Sequence, residues 1–75
     1  MTAPRAHTLA SVRQDARAMI HPACDVIETT HEGRRVFIVK HPHKAAWNLA
    51  DSGHSALLIS ASLESLAMRI RENYC

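Results

Sequence analysis

At 75 residues, with nine Lys and Arg against seven Asp and Glu and a formal net charge of +2, the chain has room for one small domain and is only mildly basic. Chains this short bury only about 60–65% of the surface they expose when unfolded, so a modest core and a leaning towards a partner or a second copy are expected. Its two cysteines, Cys24 and Cys75, are too few for a disulfide framework, and no apolar run approaches the roughly 20 residues needed to cross a bilayer.

Residues 1–6 include Pro4 and carry no apolar pattern, so a frayed tail is expected there within a single domain spanning 1–75. From Thr8, an N-cap residue type, Leu9, Val12, Ala16, Met19 and Ile20 recur on one helix face, with Arg13 and Arg17 turned outwards. His21-Pro22 ends that helix, because the residue before proline is pushed out of the α region. Residues 25–30 alternate weakly and are read as a strand joined through Glu32-Gly33 to the strong run Val36-Phe37-Ile38-Val39.

A turn at His41-Pro42-His43-Lys44, a strand at Trp47-Asn48-Leu49, a second turn at Asp51-Ser52-Gly53 and a strand at Leu57-Leu58-Ile59 follow. Strand alternation puts Phe37, Val39, Trp47, Leu49, Leu57 and Ile59 on one face, under the helices, with Trp47 central and buried. Val36, Ile38 and Leu58 then point to the other face with Lys40 and Asn48, a mixed surface left open for an interface. Ser62 caps a closing helix whose apolar stripe is Leu63, Leu66, Ala67, Ile70 and Tyr74; Glu64 suits its positive end, and Arg69 and Arg71 suit its negative end. The expected fold is therefore α+β: an N-terminal helix, an antiparallel meander sheet of three or four strands and a C-terminal helix, both helices on one sheet face.

Six histidines invite a metal reading in which His41 and His43 are joined by His54, Cys24 or Asp51. Zinc requires three or four convergent ligands, and with no CxxC or HExxH a solvated turn explains the pair, so no metal and no cofactor are expected. Asp51-Ser52-Gly53-His54 places a carboxylate, a hydroxyl and an imidazole together, but a short turn does not aim all three as a triad needs. No Walker loop, GxSxG or GxGxxG is present, and so small a chain does not enclose a pocket of some 300 Å³, so no catalytic residue and no small-molecule substrate are expected. Asn48 and His54 are read as turn satisfiers.

Arg34, Arg35, Lys40, His41, His43 and Lys44 bracket the best strand, and with Arg13 and Arg17 they form a basic surface of the kind that neutralises phosphates. Glu28, Glu32 and Asp51 lie close to them in sequence, and Phe37 and Trp47 are assigned to the core rather than to base stacking. The expected function is a small non-enzymatic cytoplasmic interaction module, of regulator or inhibitor type, binding another protein or a second copy as a homodimer; nucleic-acid binding through the hairpin 34–44 is the alternative. Arginine outnumbers lysine seven to two and alanine is the commonest residue, the mark of a GC-rich bacterial, phage or plasmid genome.

Overall fold

A computed structural model describes residues 7–74; the expected tail at 1–6 and the terminal Cys75 lie outside the described residues. Helix α1 spans Leu9–Met19. Its start is a capping box: Thr8 Oγ1 accepts the Ser11 N–H at 3.0 Å, and Ser11 Oγ accepts the Thr8 N–H at 2.9 Å. At its end both Ile20 and His21 donate their N–H to the Ala16 carbonyl before Pro22 turns the chain away.

Strands β1 (Asp25–His31) and β2 (Arg34–Lys40) pair antiparallel across a two-residue turn, with His31 opposite Arg34. Glu32 and Gly33 both have positive φ, 54° and 76°, the conformation that lets a two-residue turn match strand twist. After β3 (Trp47–Leu49) and β4 (His54–Ala56), strand β5 (Leu58–Ser60) pairs with β2, and α2 (Leu63–Tyr74) closes the chain. Ser62 caps α2 by accepting the Ser65 N–H at 3.1 Å.

The α+β architecture is as expected, with one difference in the sheet. Three strands, ordered β1-β2-β5, form the antiparallel sheet, and β3 with β4 form a separate two-stranded ribbon inserted between β2 and β5. Gly53, with φ 74°, lets that ribbon fold back at once, and the Ser52 and Gly53 N–H groups both donate to the Leu49 carbonyl at 3.0 Å. Trp47 to Leu49 therefore pairs with His54 to Ala56 instead of extending the main sheet.

Two apolar clusters lie on opposite sides of β2. On the helix side are Val12, Ala16, Cys24, Val26, Phe37, Val39, Leu66, Ala67 and Ile70, with Leu58 packed against them. On the other side Ile38 meets Leu49 and Ala56 of the ribbon, flanked by Ile27, Val36 and Ile59.

Three expectations are corrected by this packing. Ile38 is fully buried, because the ribbon covers the face that was to stay open. Leu58 pairs with Val39 and Ile59 with Ile38, so it is Leu58 that faces the helices; a one-residue slip of register reverses every side chain of a strand. Trp47 is 55% exposed rather than central, and it pairs across the ribbon with Ala56 instead of with a residue of the main sheet.

Candidate interaction surface

The ribbon is fastened to the sheet at two points. At its tip, Asp51 Oδ1 accepts from His31 Nδ1 at 2.8 Å and Asp51 Oδ2 accepts the Glu32 N–H at 2.7 Å, joining one turn to the other. The Glu32 amide and then the His31 ring hold the Asp51 carboxyl below its ordinary value of 3.8. Lys40 Nζ donates to His54 Nδ1 at 3.2 Å and reaches the Ser55 carbonyl at 3.4 Å. Between these fastenings Leu49 and Ala56 fill the space over Ile38.

Trp47 opens the ribbon and leaves more than half of its surface in solvent. Met68, at 60%, is exposed on α2, and Tyr74 is partly exposed at its end. Trp47 differs from both in belonging to a ribbon whose backbone is pinned at each side. Asn48, facing away from the sheet, is exposed.

The basic residues of the hairpin do not form one patch. Arg34 and Lys40 stand at opposite ends of β2, about 20 Å apart at roughly 3.3 Å per residue. Arg35 lies 3.9 Å from Glu28 and covers the Phe37 ring, with 5.7 Å from the guanidinium carbon to the ring centroid. Arg13 and Arg17, placed by sequence on the same basic surface, are bound elsewhere, Arg13 half-buried and Arg17 exposed. Arg13 pairs with Asp25 at 2.7 Å and donates to the Val26 carbonyl at 3.1 Å; Arg17 donates to the Cys24 carbonyl at 2.9 Å.

Those contacts guard the edge of the sheet. Val26 has both of its outward backbone groups satisfied, the N–H by Asp25 Oδ1 at 2.8 Å and the carbonyl by Arg13. A strand edge with free N–H and C=O groups is a template for another strand, and side chains that bind those groups block it. Glu28 and Thr30, of the same parity, turn their backbone groups to the same outer side, where charge and the short length before the turn limit pairing.

The metal set suggested by sequence is dispersed. His54 is taken by Lys40, Asp51 by His31 and Glu32, and Cys24 is buried in the helix-side core, its thiol pushed up by that burial. His41 and His43 are instead joined by His21, which sequence reasoning used only as a helix stop. The ring centroids of the three lie 5.0, 5.7 and 6.0 Å apart. The signal was the repeated His-Pro dipeptide at 21–22 and 41–42, each opening a tight connection. His31 was likewise missed, because only the folded ribbon brings Asp51 to it.

Comparison of the chain with protein-family models, with curated proteins and with solved structures finds no match among any of the three.

Proposed function

We propose that this protein is a small non-enzymatic interaction module that acts by binding another protein chain, foreign or a second copy, through the ribbon that presents Trp47. The observation that carries this reading is the 55% exposure of Trp47 on a backbone held at both sides. Tryptophan is among the residues that most often dominate binding energy, and a rigid support lowers the ordering cost of using it. A regulator or inhibitor working in the cytoplasm fits a domain of this size, whose own core leaves a large aromatic group outside.

A second reading, nucleic-acid binding, is favoured by one feature: the exposed indole follows the basic segment His41 to Lys44 after two alanines. An exposed aromatic beside cations is what base stacking on single strands uses. It ranks second because Arg13, Arg17 and Arg35 are engaged within the fold and the remaining cations sit at two ends of β2.

One experiment separates them. A photo-crosslinking amino acid is placed at position 47 and, as a control, at position 48 on the outer side of the ribbon, in cells. Discrete protein adducts or a crosslinked dimer at 47 and not at 48 are expected. Nucleic-acid adducts, together with salt-dependent DNA retention that falls in the Lys40→Ala/Lys44→Ala variant, would favour the second reading. No adduct of either kind would overturn both.

A further inference from the structure

The junction of His21, His41 and His43 joins two connections, the one from α1 into β1 and the one from β2 into β3. Its rings meet edge-on, at interplanar angles of 60°, 84° and 63°. His21 Nδ1 accepts the Ala23 N–H at 3.0 Å. His41 Nδ1 accepts two amides of its own connection, the His43 N–H at 3.0 Å and the Lys44 N–H at 3.2 Å.

An imidazole accepts a hydrogen bond only at a nitrogen without a proton, so these two rings, when neutral, carry their proton on Nε2. A metal-ligating imidazole has the reverse arrangement, with the ligating nitrogen bare and the other N–H donating. Among the described residues no three His, Cys, Asp or Glu side chains converge as a metal requires. The chemistry this junction does support is proton uptake.

We propose that the junction is a latch released by protonation: a proton taken from solvent at His41 Nδ1 removes the acceptor that folds residues 41–44 and frees the connection leading into β3. The added proton occupies the lone pair that both amides use, so the two hydrogen bonds are lost together and no other bond changes. The resulting imidazolium also meets only like charge. Desolvation, and then the charges that reach it from His21, Lys44 and His43, hold the His41 ring below the usual 6.5.

The surrounding charges are otherwise committed. Lys40, one residue earlier, points into the ribbon at His54 and Ser55. Asp25, at the start of β1, is held by Arg13 and the Val26 N–H, and Arg17 by the Cys24 carbonyl. The Cys24 thiol, raised by burial, supplies no anion. Release would act on the segment that ends at Ala46, whose N–H donates to the Ala56 carbonyl at 2.9 Å just before Trp47.

The test is an NMR titration of the free protein between about pH 8 and about pH 5, following the His41 ring, the His43 and Lys44 amides and their exchange protection. In the wild type those two amides should shift with the His41 ring, and their protection should fall roughly three- to tenfold as it charges. His41→Asn keeps a side-chain oxygen that accepts a backbone N–H two residues on but does not titrate, so its amides should stay fixed across the range. His41→Ala should show the released state at every pH. Wild-type amides that ignore the His41 titration, or an equal acid response in His41→Asn, would overturn the latch, and the wild-type titration decides even if a variant fails to fold.

Discussion

Asp51 and His31, twenty residues apart in the chain, meet at 2.8 Å, and this contact helps tie the tip of the β3–β4 ribbon to the β1–β2 turn. The same carboxylate accepts the Glu32 N–H, so it braces a residue whose φ of 54° is costly for a side chain with a Cβ. Because the Asp51 pKa is lower folded than unfolded, its contribution to stability is fully present above the ordinary 3.8 and is lost as pH falls through the lower folded value. Asp51→Asn should lower Tm at neutral pH, and the gap to wild type should close in acid below that value. Thermal melts followed by circular dichroism across pH check this, and a gap that persists unchanged in strong acid would contradict it.

Ile38 and Trp47 should respond to truncation in opposite ways. Ile38→Ala removes the centre of the cluster under the ribbon and should cost about 2–5 kcal/mol, a large part of what so small a domain has. Trp47→Ala, at a half-exposed site, should cost less than about 1 kcal/mol while abolishing the crosslinked adducts expected at that position. Urea unfolding of the two variants decides the order, and a more damaging Trp47→Ala would mean that the indole is packed.

Much of this arrangement was legible in the sequence, and the parts that were not have identifiable causes. Both helices could be read because Thr8 and Ser62 cap segments of clean helical period, and Val36 to Val39 could be read because nothing else suits four such residues. Strand β4 left no trace, since His54-Ser55-Ala56 holds no large apolar or β-branched side chain. Leu57-Leu58-Ile59 is apolar throughout and gives no alternation, so its face was set by pairing with β2 alone. There the Leu57 N–H also donates to the Val39 carbonyl at 2.8 Å, leaving Leu57 outside β5 and Leu58 opposite Val39. Strand alternation assigns Trp47 to the core beside Phe37 and Leu57, whereas its strand belongs to a ribbon whose Leu49 and Ala56, and not Trp47, cover the sheet at Ile38.

Gly33 should tolerate no L-residue well, although nothing lies within 4 Å of where a Cβ would stand. The cost is entirely backbone, from φ of 76°, so Gly33→Ala should destabilise by about 1–2 kcal/mol. A synthetic chain with D-alanine at position 33 should recover wild-type stability, because its Cβ suits that conformation. Equal melting temperatures for the L- and D-alanine chains would refute the assignment of strain.

Removing the guard from the β1 edge should change association more than folding. Arg13→Ala leaves the Val26 carbonyl without its partner and frees Asp25 from the ion pair. Stability should fall by about 1 kcal/mol, the net value of a partly exposed charged hydrogen bond. Sedimentation at rising concentration should detect oligomers absent from the wild type, and the same distribution in both proteins would count against the edge being protected in this way.

The ribbon's place in the chain also bears on the order in which the protein assembles. Pairing β2 with β5 must close the loop of residues 40–57, whereas β1 with β2 closes only the two-residue turn. Zipping β3 to β4 first draws Ala46 and Ala56 together and roughly halves the loop still to be closed, which lowers the entropic cost by about 0.6 kcal/mol. The ribbon is then an internal splint that shortens the loop β5 must close on β2, and a substitution such as Gly53→Val that spoils its turn should show itself first as slow refolding in stopped-flow traces.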